Sequence, residues 1–478
     1  MKEIKTLKKK TEWGNFLAIL NRKIIVMLVV LIPHSQVVNA QYFTQTIKGR
    51  IIDQQTQMPL PGATVVIIDS NPQIGTITDN EGYFRIDNVV TGRVSLQISF
   101  MGYHPITFNN LNLSTGKELV LNIEMEEKVI KTEEIIVKAT KDKTRVNNEM
   151  ATISARTFTI EESQRFAGVR NDVSRMAANY AGVNTANDAV NDIVIRGNSP
   201  NGLLWRLEGI EIPNPNHFGG LGATGGPVSM LNNNVLANSD FITSAFPAEY
   251  GNALSGVFDL KMRNGNYEKH EFVGQVGFNG FEFGAEGPIS KNSRASYLVN
   301  ARYSTLEAMS AMGFNFGTGT AIPKYTDLTF KVHVPTNSMG IFDIFGLGGI
   351  NSIDFINSKK DSTDLRESLY DDRYFDVYSK NDMAVAGLNH TYIINEDTYT
   401  RLSLSGSRIS NHTILDSVAD NKSTIDFMRQ HYINYDYTAN FYWNKKFNSK
   451  HNLRMGVEAM HRKFEYVDSV YLSDELRF

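Results

Sequence analysis

Asn452-Leu453-Arg454-Met455-Gly456-Val457-Glu458-Ala459-Met460-His461-Arg462 alternates. Successive side chains of a strand point to opposite faces. Leu453, Met455, Val457 and Ala459 therefore share one face, and Arg454, Glu458 and Arg462 share the other. Ser296–Tyr303 repeats the pattern, with Tyr297, Val299, Ala301 and Tyr303 against Ser296, Asn300 and Arg302. Ala384–Tyr392 and Thr398–Gly406 do the same. Arg and Glu opposite an apolar stripe are costly in a dry sandwich core and acceptable in a wet lumen. The pattern predicts transmembrane antiparallel β-barrel strands of about ten residues over 266–478. Tyr297, Tyr303, Tyr392, Tyr399, Phe441 and Tyr442 suit interfacial girdles near strand ends. A soluble sandwich, whose strands also alternate, is the competing reading. At roughly 20 residues per strand with its connection, 266–478 has room for about ten strands. A barrel with a plugged lumen needs about 22. The segment thus reads as the N-terminal part of a longer barrel, or as half of a broken gene.

The rest of the chain narrows the function by exclusion. Of 478 residues, 48 are Lys or Arg and 51 are Asp or Glu, for a net charge of −3, which offers no basic field to nucleic acid. With no cysteine there is no disulfide framework, thiol catalysis or Cys-ligated metal. The ten histidines are scattered without H-x-x-x-H or H-E-x-x-H spacing, and neither G-x-S-x-G nor a Walker A loop occurs. No catalytic residue, metal or cofactor is expected, and the chain does not read as an enzyme. Lysines at 2, 5, 8, 9 and 10 with Arg22 and Lys23 precede the short apolar run Ile24–Ile32, and small residues lead out through Val38-Asn39-Ala40. Residues 1–40 read as a secretory signal peptide.

Between leader and barrel lie three further parts. Over 43–125, short alternating runs are separated by turn signals: Ile47–Asp53, Pro59-Leu60-Pro61-Gly62, Ala63–Ile68, Gly75–Ile86 with Asp79-Asn80-Glu81-Gly82 inside it, Arg93–Phe100 and Leu119–Ile123. Six or seven strands in so short a span predict a β-sandwich. GRIID, PLPGATV, GTITDNEGYFRI and ISFMGY resemble the carboxypeptidase-regulatory-like domain, a transthyretin-type sandwich, which is usually an accessory module. Residues 126–150 form a charged linker with one apolar island, Ile135-Ile136-Val137. Such an island suits strand addition to a partner's sheet edge; the alternative is a last strand of the sandwich. Glu133, Glu134, Ile135, Ile136, Val137, Lys138 and Ala139 resemble the TonB box of outer-membrane transporters.

Residues 151–262 mix helix and strand. Ile160, Phe166, Val169, Val173 and Met176 predict a helix over 159–177. Strands follow at 192–197, 203–212, 239–243 and 256–262. The triplet Ile195-Arg196-Gly197, the strand with Glu208-Gly209, the turn Ala248-Glu249-Tyr250-Gly251 and the exit SGVFDLKMRNG are similar to the plug domain of TonB-dependent receptors, which more often has Asp-Gly at the second position. Gly220–Gly225 satisfies G-x-G-x-x-G, but it neither leaves a strand nor opens a helix, so it reads as a loop.

The order sandwich, TonB box, plug, barrel resembles TonB-dependent outer-membrane receptors of the type common in the Bacteroidetes. The expected fold class is mainly β: transthyretin-like sandwich, mixed α/β plug and partial antiparallel barrel. The resemblance implies uptake of a scarce or large solute, such as a siderophore, glycan or peptide. It also implies outer-membrane lipid around the wall and a TonB-like periplasmic energy-coupling protein that pulls on 133–139. Arg196, Glu208 and Glu249 are expected plug-to-wall ion pairs. The competing functions are a secreted or surface β-rich binding or adhesion protein, and an enzyme accessory.

Overall fold

The computed structural model describes residues 42–128, 148, 150–151, 154–165, 168–169, 171–185, 187–220, 222–277, 280–306, 321–336, 338–359, 374–419 and 421–471. The expected leader and the segment 133–139 lie outside them. The chain divides into two compact units, Met1–Thr44 and Gln45–Phe478, and the architecture below is that of the second.

The first seven strands make a two-sheet sandwich: β1 (Thr44–Asp53), β2 (Thr64–Ile67), β3 (Gly75–Ile77), β4 (Tyr83–Val90), β5 (Gly92–Ser99), β6 (Ile106–Leu113) and β7 (Leu119–Met125). One sheet runs β4-β1-β7, with β1 and β7 parallel, and the other runs β3-β2-β5-β6. Ile47, Ile51, Val65, Leu96, Ile98 and Ile123 fill the space between them. The Asp-Asn-Glu-Gly signal forms the turn it promised. Asp79 Oδ1 accepts from the amides of Glu81 and Tyr83 at 2.9 and 2.8 Å, and Gly82 takes φ +78°. This turn splits the expected Gly75–Ile86 run into β3 and β4. β6 has no counterpart in the sequence reading. Its outer-edge position leaves it half-exposed, so its residues carry little alternation.

The central domain follows: β8 (Ala155–Phe158), α1 (Ile160–Arg165), α2 (Val173–Ala177), β9 (Val183–Thr185), β10 (Ile193–Ile195), β11 (Leu203–Leu207), β12 (Ile210–Glu211), β13 (Asn216–His217), β14 (Val228–Ser229), β15 (Ser239–Ile242) and β16 (Gly256–Leu260). Its main sheet has the order β12-β11-β16-β15-β8. The single helix expected over 159–177 is two short ones. Gly168 takes φ +79°, and Asp172 caps a new start by accepting from the Ser174 amide at 2.8 Å. Val169, Val173 and Met176 are nonetheless buried as their spacing predicts.

The remaining nine strands form one antiparallel meander in sequence order: β17 (Glu271–Gly277), β18 (Gly280–Pro288), β19 (Ser296–Tyr303), β20 (Lys324–Pro335), β21 (Ile341–Phe355), β22 (Phe375–Asn395), β23 (Thr398–Val418), β24 (Thr424–Asn448) and β25 (His451–Val470). This wall does not close on itself among the described residues, because β17 and β25 are its two edges. Connections at one end are short (289–295, 336–340, 396–397, 449–450); at the other they include 304–323 and 356–374.

The polarity of the wall is inverted relative to a soluble sheet. Phe281, Phe283, Tyr303, Leu328, Ile344, Leu402, Leu404, Tyr437, Phe441, Met455 and Val457 point outward and are exposed. Asp327, Lys331, Asn351, Asn389, Ser403 and Thr438 point inward and are buried. Registry puts each set on a single face, as in Leu404 paired with Leu388 and Ala439. The strands correct the expected length of about ten residues: β22 and β23 have 21 each and β24 has 25. Beyond the apolar band, toward the long connections, outward positions become Asp382, Lys380, Arg408 and Lys463, so alternation ends while pairing continues.

Candidate functional site

The central domain lies against the inner face of the wall. Their shared core joins Trp205, Leu207, Ile210 and Phe258 to Leu298, Phe345, Leu347, Met383 and Val385 of the wall. Trp205 stacks on Phe258 at 4.5 Å between ring centroids. Three polar clusters flank this apolar contact.

The first is built on the β11–β12 hairpin. Leu207 pairs with Ile210, so Glu208 and Gly209 are a two-residue turn, with φ +54° and +84°. This is the type I′ geometry that favours Asn-Gly or Asp-Gly; a glutamate here accepts backbone strain. The strained turn aims Glu208 at the wall. Its Oε1 accepts from Lys331 Nζ at 3.0 Å and from the Met262 amide at 2.6 Å. Its carbonyl accepts from Asn389 Nδ2 at 2.9 Å and from Arg401 at 3.0 Å. Lys331 also donates to the Met262 carbonyl at 3.1 Å, and Asp343 lies 3.9 Å from it. One wall lysine thus holds both the hairpin and the exit of the central domain. Both side chains are about nine-tenths buried, so each charge depends on the other for what water no longer supplies.

The second cluster surrounds Ala248-Glu249-Tyr250-Gly251. Tyr250 is buried, with its hydroxyl donating to Asp259 at 2.8 Å. Burial, and then the carboxylates of Asp259 and Glu249, push its phenol far above the usual tyrosine range. Asn148, where the described chain enters this domain, donates to Glu249 Oε1 at 2.7 Å and Tyr250 Oη at 2.6 Å. Its amide donates to Asp240 at 2.7 Å. Glu249 reaches Arg206 within the domain at 3.8 Å and Arg454 of β25 at 3.4 Å.

The third cluster lies toward the long connections. His217 Nε2 is 2.9 Å from Asp327 Oδ2, which also accepts from Arg302 at 2.6 Å; Arg302 donates to the Ser229 carbonyl as well, at 2.5 Å. Burial pulls the His217 imidazole below its ordinary value, against the opposing pull of Asp327. The loop between His217 and Val228 carries the G-x-G-x-x-G. It joins two short antiparallel strands and opens no helix, so the geometry for a pyrophosphate is missing.

Arg196 and Gly197 also form a two-residue turn with positive φ, closed by the Asn198 amide on the Ile195 carbonyl at 2.9 Å. Arg196 is exposed and donates to Ser154 at 3.3 Å within its own domain. Among the described residues it makes no ion pair with the wall, a correction to the expectation. Gly251 belongs to the turn, and a Cβ placed on it would meet nothing within 4 Å. The residues that complete the clusters, Lys331, Arg401, Asn389, His217 and Asn148, were not singled out by sequence reasoning. The inward charges of alternating strands were the available signal, but nothing in the sequence says which carboxylate each one meets. No group of three or more His, Asp or Glu side chains suited to a metal occurs among the described residues.

Residues 47–137 match the family model described as a CarboxypepD_reg-like domain. The match runs through Val137 and so takes in part of the 133–139 segment. No curated protein matches the chain. Among solved structures, the pyoverdine outer membrane receptor FpvA from Pseudomonas aeruginosa PAO1 is 14% identical, covering 67% of this chain and 48% of that one, with a TM-score of 0.48. The siderophore receptor PirA from Acinetobacter baumannii is 14% identical over 67% of this chain and 59% of that one, with a TM-score of 0.36. A type II cohesin–X–dockerin complex from Acetivibrio cellulolyticus contains a chain 25% identical over 17% of this chain and 58% of that one, with a TM-score of 0.15. The chain spans less than two thirds of each of these proteins.

Proposed function

We propose that this chain belongs to an outer-membrane receptor and transporter of the TonB-dependent kind, with the nine-stranded wall facing lipid and the central domain as its plug. The observation that carries the reading is the inverted polarity of the wall. Apolar side chains are exposed in a band outside, while amides and charges are buried inside against another domain. A soluble protein rarely exposes so large an apolar surface, and a bilayer covers it at no cost in polar groups. The open edges of β17 and β25 call for further antiparallel strands, because unpaired backbone in hydrocarbon is expensive.

In this reading a small solute or oligomeric nutrient arrives at the long-connection end. A periplasmic TonB-like energy-coupling protein adds its sheet edge to 133–139 and pulls. Force enters the plug at Asn148, which holds Glu249, and Glu249 is held by Arg454 of the wall. Glu208 and Lys331 form the neighbouring restraint. Pulling through several backbone hydrogen bonds loaded together makes 133–139 a workable handle.

The chain has no cysteine, so a single thiol is an unambiguous probe. In native membranes F441C, on the outward band, should react with a membrane-soluble maleimide and resist a water-soluble one. Rapid reaction with the water-soluble reagent would overturn the reading and leave a secreted β-rich binding protein in its place.

A further inference from the structure

The inner face of the wall changes character just beyond its apolar contact with the central domain. Met383 and Ile409 are paired across β22 and β23, and both pack into that contact. Two residues further toward the long connections, on the same face, Asn351, Asn381 and Asn411 stand directly beside one another on β21, β22 and β23. The row continues into Tyr432 on β24 and Tyr466 on β25. Asn381 Nδ2 donates to Asn351 Oδ1 at 3.3 Å, and Thr413 Oγ1 donates to Asn411 Oδ1 at 3.1 Å. The Asn381 oxygen accepts no hydrogen bond among the described residues. The central domain bounds the row on one side, where the Phe218 amide donates to Asn351 Oδ1 at 3.2 Å. On the other side Tyr432 meets Phe464 edge to face at 4.8 Å, and Phe464 stacks with Tyr466 at 6.3 Å.

The next inward row repeats the chemistry with Ser379, Thr413 and Gln430. Asp468 is the single charge in the two rows, and it accepts from Tyr466 Oη at 3.0 Å. At the same height the outward face carries Lys380, Asp382, Arg429 and Glu465. Both faces are polar here, so burial does not explain why the charges are confined to one of them. The inward charges nearest the row are spent on each other, Arg302 on Asp327 and Arg462 on Asp436, each at 2.6 Å. An anionic chelate would need unspent cations on this face. Primary amides and hydroxyls instead offer donors and acceptors together, which suits sugar hydroxyls, and the tyrosine and phenylalanine rings offer flat apolar surface to sugar rings. Neighbouring strands stand about 4.8 Å apart, so a row crossing five of them spans roughly 19 Å, the length of a short oligosaccharide.

We propose that this amide and tyrosine row is the binding surface for a neutral oligosaccharide, laid across β21 to β25 beyond the central domain's apolar contact. The proposal deepens the receptor reading, and rests on it for the row facing the side from which solute arrives. The amides bond the sugar hydroxyls, and Tyr432, Phe464 and Tyr466 take the ring faces.

The test uses the full chain purified in detergent and titrated calorimetrically with neutral glucan, mannan, xylan and galactan oligosaccharides of about six units. Galacturonan oligosaccharides and a ferric tricatecholate serve as anionic probes. At least one neutral series should bind, and neither anionic probe should bind more tightly. N381A with N411A should weaken that binding about tenfold or more, because it removes two amides that bond hydroxyls. Y432A should do the same, while Y432F, which keeps the ring face, should stay within about threefold. A second kind of variant removes no amide: T413W, at a half-buried inward position, fills the surface and should block binding. Failure of all four neutral series to bind, tighter binding of an anionic probe, or equal binding by the unaltered protein, N381A with N411A, Y432A and T413W would overturn the proposal. The titration needs neither bilayer nor energy source, so it can fail while the F441C result stands, and the reverse.

Discussion

Changing Glu208 to Gln keeps an oxygen for the Met262 amide but removes the charge that faces Lys331. The two side chains are 7% and 6% exposed, and taking one partner from such a pair costs about 3–5 kcal/mol. Asp343, 3.9 Å from Lys331, leaves the ammonium one anionic neighbour, which lowers the expected cost to about 2–4 kcal/mol. The backbone bonds from Asn389 and Arg401 to the Glu208 carbonyl survive, so the loss concerns the ion pair and not the whole hairpin. At about 1.4 kcal/mol per tenfold, local opening of β11–β12 should become roughly 30- to 700-fold more frequent. Native-state hydrogen exchange read by mass spectrometry on peptides within 203–212 measures this directly, with peptides of β21 as the internal reference. Adding K331M to E208Q removes the stranded charge and should recover most of the protection, since neutralising both members of a buried pair is far cheaper than breaking it. The reasoning is refuted if E208Q exchanges within about threefold of the unaltered protein, or if the double variant opens as readily as the single one.

Two further outcomes follow from the same geometry. A Cβ on Gly387 would lie 2.5 Å from Phe345 Cζ and 3.0 Å from Ile210 Cδ1, in the apolar contact between wall and central domain. G387A should therefore cost about 1–3 kcal/mol, seen as a lower thermal midpoint by tryptophan fluorescence; an unchanged midpoint would show that the two domains do not pack there. Burial raises the Glu118 carboxyl, but hydrogen bonds from Lys269, Lys48 and Asn266 outweigh it and hold the group at about 2, against 4.5 unperturbed. A lowered carboxylate contributes stability that is complete above 4.5 and lost as pH falls toward 2. The thermal advantage of the unaltered protein over E118Q should accordingly be constant from pH 5 to 7 and shrink steadily below 4.5; an advantage independent of pH would contradict the pairing of Glu118 with Lys48 and Lys269.

The parts differ in how much of them local chemistry specifies. Asp79-Asn80-Glu81-Gly82 became a turn because the residues that close it are its own neighbours, and the Glu208-Gly209 and Arg196-Gly197 turns are local in the same way. The alternation of Arg454, Glu458 and Arg462 against Leu453, Met455 and Val457 announced a two-faced strand, since side-chain direction follows from the backbone alone. Where local signals thinned, the reading thinned with them. β6 lies half-exposed at an edge and shows little alternation. The helical spacing of Val169, Val173 and Met176 was real, but Gly168 and the Asp172 cap divided the helix.

Strand alternation, turn chemistry and the wall's two-faced character were thus determined by sequence alone, because each depends on residues close together in the chain, and the exclusion of cysteine chemistry followed from composition. Only the tertiary structure decided that β22 to β24 run about twice the expected length, since past the apolar band both faces are polar and a neighbouring strand is what keeps the backbone paired. It likewise decided that Glu208 meets Lys331, 123 positions away, while Arg196 does not reach the wall. It buried Lys48, a residue whose place in the strand points it at water, beneath a segment 218 positions distant. Which opposite charge a buried ion finds depends on how whole domains dock, and no short-range pattern in the chain records that.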